Sequence, residues 1–334
     1  MTARRELGRR SLVGAAAAGW LLAPLRAPAQ PVGKMVRIGW LANSQNTSTT
    51  KTVMQAFSEG MQARGWIDGR DYTIDPLFAE GHPERLPALA AELVRRHVDL
   101  IVSAGSPATA AARAATNTIP IVFFFVGDPI GSGFVSNLAH PVGNVTGLGG
   151  LGPGVSAKQL ELLRAMLPSA KRIAMLINPS MSVHAANQAE MEPAARAMNL
   201  VIRPVPLRSP DDIDEAFATI ARERVHALFI LGQPFLFAHG ERVARLAIEQ
   251  RLAACIPFDE GVRSGLLMSY GWKILDDARR LPHYVERILR GAKPSELPVE
   301  QPSRFYLTIN LKTARAIGLT VPQSILLSAD EVIE

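Results

Sequence analysis

The 334-residue sequence has few of the features that catalysis needs. Cys255 is its one cysteine, so no disulfide forms within the chain and a racemase that uses a thiol pair is excluded. The seven histidines show no H-x-x-x-H pair and no metal-ligand spacing with cysteine or aspartate. The G-x-S-x-G elbow of hydrolases and the Walker A loop are also absent. We therefore predict a protein that is not an enzyme, with no catalytic residue, no metal and no cofactor.

The first 29 residues differ in kind from the rest. Four arginines lie within the first ten residues, an uncharged stretch covers 11–23, and Ala27-Pro28-Ala29 forms a small-x-small cleavage signal. This pattern predicts a secretory signal peptide over 1–29, because the apolar run is shorter than the ~20 residues that span a bilayer. The pair Arg9-Arg10 is compatible with a twin-arginine signal, and Sec export remains the alternative. No cysteine follows the apolar run, so we predict a periplasmic protein without a lipid anchor.

Charge balance argues against a nucleic-acid partner. The whole chain carries a formal charge of +6, but its first 29 residues hold five of the 36 basic and one of the 30 acidic residues. The chain that follows them is left with a charge of only +2. Most of the basic excess thus belongs to a segment that export would remove, and no nucleic acid is predicted.

Short apolar runs alternate with amphipathic helical stretches after that segment. The runs "MVRIGWLA", "VDLIVSAG", "IPIVFFFVGD", "RIAMLIN", "HALFILG" and "GLLMSYG" are continuously apolar, which predicts strands of a parallel sheet that is covered by helices on both faces. Helical spacing links Leu86, Leu89, Ala90, Leu93 and Val94, and again Ile213, Ala216, Phe217 and Ile220. Ser209 and Asp212, with Pro210 between them, predict a capping box before the second of these helices.

The sequence also repeats itself. "LVRRHVDLIVSAGSP" (93–107) matches "IARERVHALFILGQP" (220–234) in residue type, and "RIGWLANS" (37–44) matches "RIAMLINP" (172–179). The two matches occur in the same order at offsets of 127 and 135 residues. They predict two copies of one α/β lobe.

A glycine-rich stretch, "VTGLGGLGPG" (145–154), separates the two copies and contains a formal G-x-G-x-x-G at Gly147, Gly149 and Gly152. A dinucleotide-binding loop should be followed, after about 20 residues, by an acidic residue at the end of the next strand. That strand ends in Asn178 instead. We therefore interpret the stretch as a hinge between lobes.

These segments resemble the ABC transporter substrate-binding protein family that includes the tryptophan-binding TrpX-like proteins. The similar stretches include "ERLPALAAEL", "VDLIVSAGSPATAAARAAT", "IPIVFFFVGDPIGSGFV", "HPVGNVTG" and "LRSPDDIDEAFATIARER", and they continue to the closing "ADEVIE". The resemblance implies a type I periplasmic-binding-protein fold: two Rossmann-like, flavodoxin-like lobes joined by three crossings. We place lobe 1 at 36–147 plus about 271–305, and lobe 2 at 148–270 plus about 306–334.

Candidate ligand-binding residues follow the carboxyl ends of the predicted strands, which line the cleft when two lobes face each other. Lobe 1 offers Asn43, Ser44, Gln45, Gly105, Ser106, Ala108 and Asp128. Ser106 either helps to hold a ligand carboxylate at a helix N-terminus or merely caps that helix. Asp128 either pairs with a ligand ammonium group, caps the turn that begins at Pro129, or receives an arginine of the protein itself. Lobe 2 offers Asn178, Ser180, Gln233, Phe258, Asp259 and Glu260, and Tyr270 lies at a predicted crossing.

The resemblance implies a solute-binding component of an ABC importer. Such a protein captures a small organic molecule, for which we expect an amino acid or an aromatic or apolar carboxylate, and delivers it to an inner-membrane permease that has a separate ATPase. We expect a monomer. The alternatives are a ligand sensor that presents its closed form to a membrane receptor, and an exported NAD-dependent or hydrolytic enzyme.

Overall fold

The computed structural model describes residues 35–149, 154–233 and 235–334, so the predicted signal peptide lies outside the described residues. The first half of the chain forms one parallel sheet with strand order β2-β1-β3-β4-β5. Its elements are β1 (Val36–Ala42), α1 (Ser48–Gln62), β2 (Tyr72–Phe78), α2 (Leu86–Arg95), β3 (Leu100–Ala104), α3 (Ser106–Ala115), β4 (Ile121–Val126) and β5 (Val145–Gly149).

The second half forms a sheet of seven strands. Its elements are α4 (Val155–Met166), β6 (Arg172–Ile177), α5 (Ser182–Ala197), β7 (Val201–Pro206), α6 (Ile213–Glu223), β8 (Ala227–Ile230), α7 (Leu236–Glu249), β9 (Ala253–Ile256), α8 (Asp259–Arg263), β10 (Met268–Gly271), α9 (Ile274–Leu289), β11 (Tyr306–Asn310), α10 (Leu311–Ile317), α11 (Gln323–Ser328) and β12 (Glu331–Ile333). The strand order is β12-β11-β10-β9-β8-β6-β7, and β11 runs antiparallel to β10.

The two sheets share one topology. Five strands of the second sheet, β7-β6-β8-β9-β10, reproduce the order of the first sheet, with β6 in the place of β1 and β8 in the place of β3. These are the strands that the two sequence matches align. The prediction of two flavodoxin-like parallel α/β lobes is confirmed.

Both faces of each sheet are covered. Neighbouring residues Trp40 and Leu41 belong to different hydrophobic clusters, as do Met175 and Leu176. Because successive strand residues point to opposite faces, this division shows that each sheet has a core on both sides. No helix among the described residues has the length and apolar character to cross a membrane.

Helix α9 lies far along the chain but packs against α1 of the first sheet. Gly60 of α1 makes this approach possible, because a Cβ there would lie 2.7 Å from the carbonyl oxygen of Arg279. The chain therefore returns to the first sheet after β10 and reaches the second again at β11.

Candidate ligand-binding site

A cavity of about 350 Å³ lies between the loops that follow the strands of the two lobes. Its volume lies at the lower end of the ~300–1,000 Å³ that is usual for small-molecule sites. The residues that line it come from both lobes: Asn43, Pro83, Ser106, Pro107, Ala110, Ser132 and Phe134 from the first, and Asn178, Ser180, Met181, Ser182, Arg208, Gln233 and Phe235 from the second.

The wall on the first lobe carries polar groups without partners. Asn43 follows β1 and is only 4% exposed, yet its Oδ1 finds no hydrogen bond among the described residues. The hydroxyl of Ser106 is likewise buried and unpartnered there. Ser106 is the first residue of α3, and Gly105 before it provides no side-chain cap. The alternative in which Ser106 caps this helix is therefore wrong.

The wall on the second lobe is already hydrogen-bonded. Gln233, 1% exposed, donates from Nε2 to the carbonyl oxygen of Leu207 at 2.9 Å and accepts from Nδ2 of Asn178 at 3.4 Å. The hydroxyl of Ser180 donates to Oδ1 of Asn178 at 2.6 Å. Three predicted site residues thus form one network behind the cavity.

His184 supports this network from α5. Its Nδ1 accepts the backbone N–H of Asn178 at 2.7 Å, and its Nε2 lies 3.2 Å from the carbonyl oxygen of Gly232. An imidazole that accepts at Nδ1 and donates at Nε2 is neutral. Burial lowers the pKa of His184 from its ordinary 6.5 to about 4, which agrees with that state.

Arg208 contributes the charge of the site. Asp212 accepts its backbone N–H at 2.7 Å, and the same carboxylate accepts the backbone N–H of Ser209 in the predicted capping box, which the structure confirms. Arg208 is exposed, and its guanidinium makes no hydrogen bond or ion pair within the ranges that the structure describes. An arginine that lines a cavity without a partner is available to an anionic ligand.

An aromatic cluster joins the lobes beside the cavity. Phe125, at the end of β4, has a φ of 56°, which is unusual for a non-glycine residue. Its ring centroid lies 5.5 Å from that of Phe237, 5.8 Å from that of Phe258 and 6.1 Å from that of Trp272. The β4–β5 register shifts at this point, so the irregular backbone directs Phe125 toward the second lobe.

Two polar contacts also join the lobes. The hydroxyls of Ser132 and Ser182, which both line the cavity, lie 3.1 Å apart. Nε2 of the predicted residue Gln45 lies 3.4 Å from Nε2 of His239. The lobes therefore contact each other through these side chains. Ligand-driven opening or closing of the lobes would separate the side chains or bring them together.

Other predicted site residues lie close to the cavity without lining it. Ser44 lines a void of about 30 Å³ with Trp40 and Phe125, and Gly105 lines a second void of the same size. The side chain of Ala108 is fully buried in the core, so only its backbone N–H, in the first turn of α3, belongs to this region. Asp128 accepts the N–H of Gly131 at 2.7 Å, which is the turn-capping role.

Three predicted residues of lobe 2 make contacts away from the cavity. Asp259 lies 3.3 Å from Arg263, and burial together with Asp259 raises the pKa of the neighbouring Glu260 to about 8. Tyr270 stacks on Phe305 with centroids 6.0 Å apart. None of the three lines the cavity among the residues described.

Sequence reasoning missed several residues that line the cavity or support its wall. Arg208 follows β7, a strand that the apolar pattern did not reveal, and Ser132 lies in a loop beyond Asp128. Ser182 opens α5, where a search for residues at helix N-termini would have found it. His184 carries no spacing signal, because its partners are backbone groups.

The glycines of the G-x-G-x-x-G pattern have a structural use. Gly147 and Gly149 lie within β5, and a Cβ on Gly147 would overlap the carbonyl oxygen of Phe123 on β4. Gly152 lies outside the described residues. The two described glycines thus permit close strand pairing rather than contact with a phosphate. Nor does the described part of the chain bring three potential metal ligands together.

Two parallel α/β lobes, with a polar cavity between the carboxyl ends of their strands, define the fold of the periplasmic-binding-protein type. The chain belongs to the family described as ABC transporter substrate binding protein, whose profile matches residues 46–333. It is 24% identical over 280 residues to a tyrosine-binding protein of Clostridioides difficile (strain R20291). The aligned residues cover 83% of this chain and 78% of that protein.

Two solved structures are similar over 90% of this chain and 100% of their own. One is an ABC domain from Streptococcus pneumonia in complex with L-Trp, with a TM-score of 0.82 and 25% identity. The other is a conserved domain protein from Vibrio cholerae, with a TM-score of 0.83 and 25% identity.

Proposed function

We propose that this protein captures a small organic acid, either an amino acid or an apolar carboxylate, outside the cytoplasm and delivers it to an ABC permease in the inner membrane. The observation that carries the proposal is the 350 Å³ cavity lined by polar groups of both lobes. Membership of the substrate-binding family supports it, as does the L-Trp complex of a protein with the same fold.

In this proposal, Asn43 and Ser106 contact the ligand from lobe 1, while Asn178, Ser180 and Gln233 do so from lobe 2. A ligand that touches both lobes favours the closed arrangement by the difference between its affinities for the two arrangements. The lobes would turn about the crossings near Gly147, Tyr270-Gly271 and residue 305. The permease would then recognise the closed form, and the bound ligand would be released to it.

Thermal unfolding with a ligand panel tests the binding step. The exported protein is unfolded and refolded to remove any ligand carried through purification, and then melted with amino acids, aromatic and aliphatic acids, sugars, and NAD. A ligand present at 100 times its dissociation constant stabilises the native state by about 2.7 kcal/mol, which raises Tm by a few degrees. Stabilisation by one class of organic acid is expected. A shift with NAD alone would contradict the proposal.

The export step has a separate test. The full chain is produced in a bacterium and the cells are fractionated, with a chain that begins at Gln30 as the control. We expect the full chain in the periplasm with a new N-terminus at Gln30, and the control in the cytoplasm. Replacement of Arg9 and Arg10 by lysine would block export only if the twin-arginine route is used.

A further inference from the structure

Two helices begin at the cavity from opposite lobes, and neither is capped by a side chain. The N-cap residues are Gly105 for α3 and Met181 for α5. The backbone N–H groups of Ser106, Ala108, Ser182 and Val183 donate to no acceptor within the described ranges. Free N–H groups and the positive end of the helix dipole make each start a favourable place for negative charge.

Side chains at the cavity point to the same ligand chemistry. Arg208, an exposed residue, lines the cavity with a guanidinium that is unpaired among the described residues, and Asn43, 4% exposed, lines it with an Oδ1 that accepts no hydrogen bond there. Nδ2 of Asn43 can donate to a ligand oxygen, whereas its buried Oδ1 requires a donor, such as a hydroxyl or an N–H group. The guanidinium can only donate.

A counter-charge for a ligand cation is missing from this lining. Among the described residues that line the cavity, and those that line the two 30 Å³ voids beside it, there is no aspartate and no glutamate. Asp128, the carboxylate that the sequence predicted at this edge, caps the turn at Gly131. An ammonium group here would lie beside Arg208 and two helix N-termini without a carboxylate to pair with, which is unfavourable.

We propose that the cavity selects organic carboxylates that carry no ammonium group, and that it binds them more tightly than the amino acids of the same carbon skeleton. Arg208 and the N-termini of α3 and α5 hold the carboxylate, and Asn43 meets a neutral polar substituent. This inference rests on the proposed function, because it assigns a substrate class to the same cavity.

Matched ligands test the selection. Isothermal titration calorimetry on the refolded exported protein compares 3-phenylpropionate with L-phenylalanine and phenethylamine, indole-3-propionate with L-tryptophan, and hexanoate with L-norleucine. At least one acid is expected to bind about tenfold or more tightly than its amino acid, because the added ammonium lies beside positive charge without gaining a counter-charge. No binding of phenethylamine is expected.

The possible failures are distinct. Tighter binding of the amino acid in each pair that binds would overturn the inference and leave the proposed function standing. Binding of sugars or polyols without any acid would overturn both. If no compound of any of these classes binds, both the inference and the proposed function fail.

Two arginine variants then locate the carboxylate. Arg208→Gln is expected to weaken binding of the preferred acid by about 10- to 100-fold, which is the usual effect of losing a charge-assisted hydrogen bond. Arg315→Gln, a matched change at an exposed arginine of α10 outside the cavity, should leave the dissociation constant unchanged. Unaltered affinity in Arg208→Gln would overturn the assignment of Arg208.

Discussion

On the second lobe's wall of the cavity, Asn178, Ser180 and Gln233 are hydrogen-bonded to each other or to backbone. On the first lobe's wall, the side-chain amide of Asn43 and the hydroxyl of Ser106 bond to no group that the structure describes. Buried polar groups are costly unless they are hydrogen-bonded. The second wall is therefore hydrogen-bonded as it stands, whereas the first wall keeps two buried polar groups that have no partner among the described residues.

Removing a member of the second wall's network should have the largest effect on stability. Gln233→Leu leaves the carbonyl oxygen of Leu207 without this partner and Nδ2 of Asn178 with only its 3.5 Å contact to the carbonyl oxygen of Arg208, at about 1–3 kcal/mol for each group. We expect the free energy of unfolding of the ligand-free protein to fall by roughly 4 kcal/mol, measured by urea denaturation. An unchanged denaturation midpoint would mean that the network does not support the wall.

The pH dependence of stability should report His184, the next largest effect. Its pKa is lowered to about 4 in the folded protein, so the unfolded chain takes up a proton below pH 6.5 while the folded protein does not. The contribution of His184 is thus present above pH 6.5 and is lost as the pH falls toward 4, by about 3 kcal/mol in total. Urea denaturation at half-unit steps of pH measures the slope.

His184→Gln is the matched variant for this slope, because an amide has an acceptor and a donor but does not titrate in this range. The variant should show a shallower loss of stability between pH 6.5 and 4 than the original protein. An identical slope in both proteins would assign the pH dependence to other groups.

The contrast between the walls also explains what the sequence could reveal. Continuous apolar runs predicted the central strands β1, β3, β4, β6, β8 and β10, because buried strands have no polar face. The edge strands β2 and β7 were missed, because Pro76 and Pro204 and exposed polar residues interrupt their patterns. Arg208 follows β7, so it was missed with its strand. Three residues that line the cavity were predicted because each follows the carboxyl end of a strand: Asn43, Asn178 and Gln233.

The sequence pattern did not predict the direction of individual side chains. Asp128 stands at a strand end like Asn43 does, but its carboxylate turns back to the N–H of Gly131. The bulge that gives Phe125 its positive φ depends on pairing with β5, which begins at Val145, 20 residues after Phe125. Such features follow from tertiary packing and not from local residue type.

The strain at Phe125 should give a smaller effect, on the first lobe's side. Phe125→Ala and Phe125→Gly both remove the ring that contacts Phe237 and Phe258, but glycine adopts a φ of 56° without steric cost. We expect the glycine variant to exceed the alanine variant in unfolding free energy by about 1 kcal/mol. Greater stability of the alanine variant would show that the unusual φ stores no strain.

The smallest change in stability is expected at Asn43, and it separates the two walls most clearly. Asn43→Leu removes a side chain that makes no hydrogen bond among the described residues, so the ligand-free protein should unfold within about 1 kcal/mol of the original. The affinity for the preferred ligand should nevertheless fall by about tenfold, because the ligand loses the partner that this amide offers. Urea denaturation and calorimetric titration of one preparation give both numbers. A large loss of stability would place Asn43 in a network like that of Gln233, and the difference between the walls would disappear.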